Sequence, residues 1–352
     1  DSLRALLDSL RQVPDSLQEV PDSLQEVPDS LQFHELPAFP RGVPGGWERG
    51  VWVWEREDLL STRALTLGEL LSLAPGMIPI RGGDYGTPTA VTAFGLGGGR
   101  LRVFLDGFEM VPLDGGVPDL AGIDLGGLES VRLERGSSEI RVELESYRFD
   151  DPRPMSVVEA GTGDLRTNHL RGTFAHPRAL RGSLGLGIER TDTRGPGGRE
   201  SGSVSGGWLR YTLHRGDDAG LRFEYRTGTA ESELETYPGK VTRKDWALRG
   251  RVRLADGVVA EAYTGMSEVA GGEDDGLTPI EGSRRQHGLR LGMQHGDVWV
   301  RGAYRWLGGP ELPSSSLDIE AGGAARDVGG VAARWSRDVW DGRGTSLSSV
   351  TA

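Results

Sequence analysis

The sequence contains no cysteine, which excludes disulfide bridges and thiolate metal sites but does not identify a cellular compartment. It also lacks any apolar run near the ~20 residues that a membrane-spanning helix needs, so a membrane insertion would have to use β-strands. No initiator methionine and no signal-like apolar segment stands at its start, and we therefore expect a mature form or a fragment. The formal net charge of −12 argues against a nucleic-acid partner, because phosphate binding needs a basic face.

Catalytic and metal-binding motifs are missing as well. None of the 6 histidines lies in a paired-ligand spacing, and neither GxSxG nor the phosphate-binding GxxxxGK[ST] pattern occurs. We interpret the glycine run Gly95–Gly99 as a loop, because no helix start follows it. The acidic run Gly271–Gly276 lacks the EF-hand spacing, which favours a solvated loop over a calcium site. We predict no catalytic residue, no metal site, no cofactor and no enzymatic activity.

Glycine, in contrast, is abundant, with 55 residues. Because these glycines follow no collagen period, they indicate many turns and strands with small side chains. The crowded interior of a filled β-barrel would use such residues, and a glycine-rich β-solenoid would too.

Residues 1–46 are predicted to be a linker built on a proline-containing heptad repeat. The motif PDSLQEV occupies 14–20 and 21–27 and begins again at 28. A seven-residue period is typical of a coiled coil, but proline in a helix interior costs about 3 kcal/mol. The prolines therefore favour a solvated, extended or locally helical segment over a coiled coil.

The next part of the chain carries a helix signal. Leucines recur at helical spacing within Leu67–Met77, and Pro75 followed by Gly76 is a typical helix end. This pattern predicts a short amphipathic helix that stops before Met77.

Two strand signals follow the helix. Apolar and polar residues alternate in Arg100–Met110, and Asp106–Gly107 is a typical tight turn. Asp119–Gly136 is predicted to begin with a short helix or turn and to continue as a strand that ends at Arg135–Gly136.

Taken in order, these pieces resemble the plug domain of TonB-dependent outer-membrane receptors. In that family a helix of the type LL-x-x-x-PGV precedes a V-x-V-hydrophobic-DG strand and then a hydrophobic-E-x-I-E-V-x-RG strand. The matching residues here are Leu70, Leu71, Pro75, Gly76, Met77, Val103, Leu105, Asp106, Gly107, Glu129, Val131, Leu133, Arg135 and Gly136. The chain departs from the family pattern at Phe94–Gly95 and at Ser137–Tyr147, which indicates a divergent receptor.

The resemblance implies an α+β plug over residues 47–147. The motif residues Pro75, Gly76, Asp106, Gly107, Glu129, Arg135 and Gly136 are expected to be structural. Asp106–Gly107 would form a turn with positive φ, and the charge of Arg135 would pair with a barrel wall.

From about residue 148 onward, apolar and arginine-rich positions alternate. In Trp246–Leu254, for example, Trp246, Leu248, Val252 and Leu254 alternate with Arg249, Arg251 and Arg253. A sheet with one apolar and one polar face has this period. We predict that residues 148–352 form ten to twelve antiparallel transmembrane strands of a partial β-barrel, with the apolar side chains facing lipid and the arginines facing inward. A soluble β-sandwich is the alternative.

Strand ends and connections refine the barrel prediction. Aromatic residues near strand ends are expected to form interfacial girdles, namely Trp208, Tyr225, Trp246, Trp306 and Trp335. Tight turns at Arg215–Ala219 and Ala255–Gly257 are expected to alternate with long loops at Thr191–Ser203, Thr229–Arg243, Ser267–Arg285 and Gly308–Arg326. Because outer-membrane transporters close with about 22 strands, we expect a truncated receptor.

The resemblance implies a transporter in the outer membrane. Its partners would be outer-membrane lipid, a TonB-type periplasmic energising protein and an extracellular ligand that the sequence does not identify. The alternative is a structural or adhesion-type outer-membrane β protein that uses the plug-like domain as a lid and does not transport.

Overall fold

The computed structural model describes residues 34–41, 50–83, 85–93, 101–113, 117–136, 139–149, 151–195, 201–233, 239–272, 280–309, 312–325, 329–340 and 342–351. The linker repeat at 14–32, the glycine run Gly95–Gly99 and the acidic side chains of the run Gly271–Gly276 lie outside these residues.

A small α+β domain, the plug-like domain, comes first. Its helices are α1 (Arg56–Ser61) and α2 (Leu67–Ser72), and its strands are β1 (Val51–Glu55), β2 (Met77–Arg81), β3 (Thr89–Ala93), β4 (Leu101–Leu105), β5 (Phe108–Glu109), β6 (Leu128–Arg135) and β7 (Ile140–Ser146). Five strands form a sheet in the order β1-β6-β7-β4-β5, and β2 pairs with β3 separately. Only the β4–β7 pair in the five-stranded sheet is parallel.

Helix α2 shows how the sequence sets these elements. The hydroxyl of Thr66 accepts a hydrogen bond from the backbone N–H of Glu69, which caps the helix N-terminus. Leu70 and Leu71 are fully buried in a core that also contains Val91, Leu105 and Val131. Gly76 follows with φ of 80°, a conformation that glycine adopts without strain.

A second sheet of 12 antiparallel strands, the wall, follows the plug-like domain. Its strands are β8 (Met155–Thr162), β9 (Asn168–Ala179), β10 (Gly182–Thr193), β11 (Gly202–Arg215), β12 (Ala219–Ser232), β13 (Lys240–Ala255), β14 (Val258–Gly271), β15 (Ile280–His295), β16 (Val298–Gly308), β17 (Ser315–Ala325), β18 (Gly329–Trp340) and β19 (Arg343–Thr351). A short 3₁₀ helix at Asp164–Arg166 connects the first two. Each strand pairs with its sequence neighbour, and within the described residues β8 and β19 pair on one side only. The predicted order of an α+β plug-like unit followed by antiparallel strands is confirmed.

The two faces of the wall differ in the way that the alternation predicted. Leu248 and Val252 of β13 are 36% and 38% exposed and point away from the plug-like domain, whereas Arg249 is 1% exposed and points toward it. The side chain of Arg251 is also buried, while that of Arg253, next to the turn, is 43% exposed. The inner face is therefore polar and the outer face apolar.

Two details of the strand prediction are wrong. The expected long loops are shorter, because the strands run into them, and the expected loop Gly308–Arg326 contains a whole strand, β17. The connections are 194–201, 233–239, 272–279 and 309–314. The ladder continues through polar pairs such as Thr229 with Thr242, since backbone hydrogen bonding does not require apolar side chains. Trp208 is only 6% exposed and points inward, so it is not part of an outer aromatic girdle.

The connections distinguish the two ends of the wall. One end, the long-connection end, carries the four connections just named, and the other, the short-turn end, carries turns such as 216–218, 256–257 and 296–297. None of the described helices has the length and apolarity that a membrane crossing requires.

The buried leucines of α2 give a stability prediction. Leu70→Ala should lower the free energy of unfolding of the plug-like domain by about 2–5 kcal/mol, because it leaves a cavity in the core. The matched control is Leu73→Ala, since Leu73 is 60% exposed just after the same helix and its loss should change little. Chemical denaturation monitored by tryptophan fluorescence measures both. Equal losses would contradict the packing described above.

Candidate functional site

The turn between β4 and β5 is the point where the plug-like domain meets the wall. Asp106 and Gly107 occupy it with φ of 48° and 84°, the positive values that a two-residue hairpin turn requires. A Cβ added at Gly107 would lie 2.4 Å from the guanidinium carbon of Arg290. Glycine therefore permits both the turn and the close approach of a wall arginine.

Arginines from three wall strands hold this turn. The backbone carbonyl of Asp106 accepts hydrogen bonds from Nη1 of Arg249 at 2.6 Å and from Nη1 of Arg290 at 2.7 Å. Its carboxylate lies 3.4 Å from Nη1 of Arg222 and accepts from the hydroxyl of Ser146 at 2.6 Å. The turn is thus bound through both its backbone and its side chain.

Two wall carboxylates complete this group. Glu224 pairs with Arg249 at 3.0 Å, and Glu261 pairs with Arg251 at 2.7 Å and with Arg290 at 3.1 Å. We call the whole set the Asp106 cluster: Asp106, Arg222, Glu224, Arg249, Arg251, Glu261 and Arg290. Burial would raise the pKa of Asp106, but Arg249, Arg222 and the hydrogen bonds from Ser146 hold that pKa far below its ordinary value. The carboxyl group is therefore ionised at neutral pH.

A second contact, the Glu109–Glu143 cluster, joins the plug-like domain to β16, β17 and β18. Arg305 pairs with Glu109 at 3.2 Å and also with Asp318, and Arg301 pairs with Glu143 at 3.0 Å. Burial would raise the pKa of Glu109 and of Glu143, but neighbouring arginines lower both. The other members are Arg102, Glu134, Arg141, Glu320 and Arg334.

Phe104 lies within the Glu109–Glu143 cluster. Its ring is 2% exposed, and the guanidinium carbons of Arg141 and Arg305 lie 3.9 and 5.0 Å from its centroid. Stacking on an aromatic face stabilises arginines that have left water.

A third contact, the Asp124 cluster, binds the plug-like domain to β9 and β11. Asp124 pairs with Nε of Arg171 at 2.9 Å and accepts a hydrogen bond from the indole N–H of Trp208 at 3.0 Å. The indole packs against two glycines, since a Cβ at Gly127 or Gly187 would approach it to 2.6 or 2.4 Å. Glycine on both sides therefore makes room for a large ring at this contact.

Two of the cavities between the plug-like domain and the wall lie beside these clusters. One, of about 90 Å³, lies toward the long-connection end and is lined by residues that include Met110, Ile123, Trp208, Arg226 and Asp245. The other, of about 120 Å³, lies toward the short-turn end; its lining includes Asp106, Glu143, Arg251, Arg290 and Arg301. Both are sites where a polar molecule could contact the domain and the wall together.

The remaining motif residues stay within the plug-like domain. Nη1 of Arg135 donates to the carbonyl of Pro75 at 3.1 Å, whereas we expected Arg135 to pair with the wall. A Cβ at Gly76 would lie 2.3 Å from the same guanidinium nitrogen. The N–H of Gly136 donates to Glu139, and Glu129 accepts from the N–H of Arg148 at 3.3 Å.

Of the plug carboxylates that meet the wall in the three clusters, the family motif marks only Asp106. The motif does not mark Glu109, Asp124 or Glu143. The wider expectation, that an acidic plug offers Asp106, Asp114, Asp119, Asp124 and Glu129 as partners of the inward arginines, includes Asp124, which pairs with Arg171, but not Glu109 or Glu143. On the wall side the sequence does indicate the contact residues, because the inward arginines follow the strand alternation. The plug-like domain's carboxylates carry no periodic signal that shows which of them reach the wall. Among the described residues, no three histidine or carboxylate side chains are grouped so that they could hold a metal ion.

The Asp106 cluster gives a prediction for one substitution. Asp106→Asn should lower the free energy of unfolding by about 3 kcal/mol, because it removes the nearer carboxylate charge from the buried guanidinium group of Arg222, at 3.4 Å. The matched control is Asp151→Asn, whose exposed pairing with Arg153 should contribute nothing measurable. Chemical denaturation of the protein in detergent micelles compares the two variants. A loss no larger than that of the control would show that the cluster does not hold the turn.

Comparison with known proteins supports this architecture. Residues 48–143 match the family model of the TonB-dependent Receptor Plug Domain. We found no match among curated protein sequences.

Solved structures with the same fold include three receptors or transporters. The siderophore receptor PirA from Acinetobacter baumannii is 14% identical, with a TM-score of 0.61, over 85% of this chain and 57% of that chain. A mutant of the ferric enterobactin receptor PfeA from Pseudomonas aeruginosa is 10% identical, with a TM-score of 0.64, over 86% and 60%. The copper transporter OprC is 14% identical, with a TM-score of 0.66, over 89% and 60%.

The chain thus spans about three fifths of the length of these structures. The motif order, the family match over residues 48–143 and the shared fold agree. Residues 48–143 therefore carry a TonB-dependent receptor plug domain, and the chain shares its fold with part of these solved structures.

Proposed function

We propose that the protein acts in the outer membrane as a receptor that takes up an extracellular ligand, with the plug domain as the gate. The observation that carries this proposal is the nature of the plug–wall contact. It is made mainly of ion pairs and hydrogen bonds, with apolar contacts to a few wall residues such as Tyr263 and Val269. The plug has an apolar core of its own that includes Leu70, Val103 and Val131. A domain with its own core and a polar contact can move against the wall without exposing that core.

The outer face of the wall supports the membrane location. Outward-facing apolar side chains follow one another across β11 to β16, and they include Leu209, Leu213, Leu221, Phe223, Trp246, Leu248, Val252, Leu289, Leu291, Met293, Val300 and Trp306. An apolar face of this extent is typical of contact with lipid or with another protein. Strands of 14 to 16 residues in β11 to β15 are long enough to cross the ~25 Å apolar band of an outer membrane when tilted.

The long-connection end supports a site for the ligand. The cavity of about 90 Å³ there combines apolar side chains with charged ones; it is too small to enclose a drug-sized ligand but could admit one group of a ligand bound at this end. It touches Asp124, whose carboxylate also holds the plug to Arg171 and Trp208. A ligand in this cavity would therefore contact a group that fixes the plug. The energising partner would be a TonB-type periplasmic protein acting from the short-turn end.

Labelling of single cysteines tests the membrane location. The chain has no native cysteine that could react with the reagents. Leu248→Cys and Val252→Cys should react with a membrane-confined maleimide and resist a water-soluble one, because lipid covers the outer face. Arg253→Cys, at the exposed end of the same strand, should react with the water-soluble reagent. If all three positions react equally from water, the wall does not face lipid.

Uptake by cells tests the transport function. Cells that produce the protein should accumulate radiolabelled ferric enterobactin or copper(II), the ligands named for two of the similar structures. A protonophore should abolish the accumulation, because the plug would need an energised partner to move. As a control, cells that produce the Asp151→Asn variant should take up the probe as cells with the wild-type protein do.

The protein could pass the cysteine test while cells that produce it accumulate neither probe above the level of cells that lack it. That result would favour the structural alternative, in which the plug serves as a lid.

A further inference from the structure

Arg226 of β12 lines the cavity of about 90 Å³ at the long-connection end and has no counter-charge of its own. Its Nε atom is buried and makes no hydrogen bond. No ion pair joins its guanidinium group to any other residue that the structure describes. A guanidinium group that has left water needs an acceptor. The described part of the chain does not supply one.

The carboxylate nearest in the ladder is already engaged. Asp245 of β13 stands directly opposite Arg226 in register. Both of its carboxylate oxygens accept hydrogen bonds from Arg243, the closest at 2.9 Å. The pair of Asp245 and Arg243 is thus neutral as a unit and leaves Arg226 without a partner.

The other three carboxylates of this lining are engaged as well. Asp124 binds Arg171 and Trp208, and Glu189 lies 3.6 Å from Nη2 of Arg171. Asp119 accepts hydrogen bonds from two backbone N–H groups of the plug, at 2.9 Å each. Among the described charged groups that line the cavity, the guanidinium group of Arg226 is therefore the one that is left for a ligand.

Two glycines open the way to Arg226 from the long-connection end. Trp208 and Arg226 are partners in the β11–β12 ladder, and Gly206 and Gly228 are the paired residues two positions nearer that end on each strand. Residues two positions apart share a face of the sheet, so no side chain covers the guanidinium group or the indole from this direction. We call the opening over these two glycines the glycine notch.

Trp208 forms one side of the same site. The guanidinium carbon of Arg226 lies 5.9 Å from the centre of its ring. The ring is held in place, because its N–H donates to Asp124 at 3.0 Å. A fixed aromatic face beside a guanidinium group suits a ligand group that combines negative charge with flat or apolar atoms.

The row that contains Arg226 continues across the wall with further unpaired polar atoms. In register, Asp245 stands opposite Ser267, and Ser267 stands opposite Arg284. Ser267 and Arg284 are 1% and 7% exposed. The hydroxyl of Ser267 and Nε of Arg284 have no hydrogen-bond partner among the described residues. Buried donors of this kind are normally satisfied, and their presence in one row favours a ligand that is rich in oxygen acceptors.

We propose that Arg226 receives an anionic oxygen group of the ligand, a carboxylate or a phosphate, through the glycine notch. The guanidinium group donates to two oxygens of the anion, which is the geometry that arginine favours. Trp208 packs against the atoms next to that group. The inference rests on the proposed function, because it names the class of ligand that the long-connection end selects: acidic ligands and not neutral ones.

Calorimetric titration of the full chain in detergent micelles tests the site with free anions as probes. Citrate and inorganic phosphate should bind at low ionic strength, and glucose, a neutral molecule of similar size to citrate, should not. Arg226→Gln should weaken citrate binding about 10- to 100-fold, because it removes charge-assisted hydrogen bonds. Arg226→Lys keeps the charge but loses the paired donors, so it should weaken binding only about 3- to 10-fold. The matched control is Arg190→Gln, which removes an exposed arginine of β10 and should stay within about 2-fold of the wild type.

Gly228→Ala tests the notch without changing a charge. The nearest atom to a Cβ at Gly228 is the carbonyl oxygen of Gly122, at 3.6 Å, which is an ordinary contact, so the variant should fold. Its methyl group should weaken citrate binding at least about 3-fold, because it narrows the opening. Binding that is unchanged in Gly228→Ala would show that the anion does not enter through the notch.

Stability separates a ligand-binding arginine from a structural one. Arg226→Gln should leave the denaturant midpoint unchanged or raise it, because the replaced group has no partner to lose. Arg249→Gln should lower the midpoint, since Arg249 is buried and binds Asp106 and Glu224. Citrate should raise the midpoint of the wild-type protein but not that of Arg226→Gln. A loss in Arg226→Gln as large as that in Arg249→Gln would show that Arg226 is structural.

The remaining outcomes are decisive for the site and separate it from transport. The inference is overturned if neither anion binds to the wild-type protein, if glucose binds as well as citrate, or if Arg226→Gln and Arg190→Gln lose binding equally. Uptake of a probe by cells, without anion binding to the purified protein, would leave the proposed function standing and remove only this inference. Anion binding without uptake would support the anion site and contradict the transport function.

Discussion

Arginines that point into the interior of the wall need carboxylates, and this requirement governs the whole structure. Arg249 and Arg305 are each 1% exposed, and a buried guanidinium without a partner costs several kcal/mol. The wall supplies part of the neutralisation through Glu224, Glu261 and Asp318. The plug supplies the rest through Asp106, Glu109 and Glu143. Plug and wall therefore depend on each other electrostatically.

This polar contact stands beside a plug core that is almost complete in itself. Of the buried residues in the main apolar cluster, only Ala247 and Tyr263 come from the wall. Apolar burial thus stabilises the plug internally, whereas ion pairs fix its position. Ion pairs depend strongly on geometry, so a small displacement of one arginine weakens several contacts together. Such a contact suits a gate, and Phe39, ahead of the plug, lies against Arg251 and Arg290 of this contact.

Particular residues show where sequence reasoning succeeded and where it failed. The alternation in β13 placed Leu248 outside and Arg249 inside, because a strand has a fixed period of two. The same period contained the correct answer for Trp208, which shares its parity with the buried Arg210. The tendency of tryptophan to lie at membrane interfaces predicts the opposite face for Trp208, and the strand period decides its position. The predicted loops are too long because polar side chains do not end a strand, as the pairing of Thr229 with Thr242 shows.

The sequence by itself determined the local and periodic features. They include the end of α2 at Pro75 and Gly76, the turn at Asp106–Gly107 and the two faces of each wall strand, since each follows from backbone geometry or from a short repeat. Only the tertiary structure decided which groups meet. Asp106 reaches Arg290 across 184 positions of the chain, Asp124 reaches Trp208 across 84, and Arg135 turns to Pro75 instead of the wall. These pairings depend on how the plug is oriented inside the wall. That orientation is set by many simultaneous charge contacts and by glycines that allow close approach, such as Gly107 at Arg290 and Gly127 at Trp208. No single stretch of sequence encodes it.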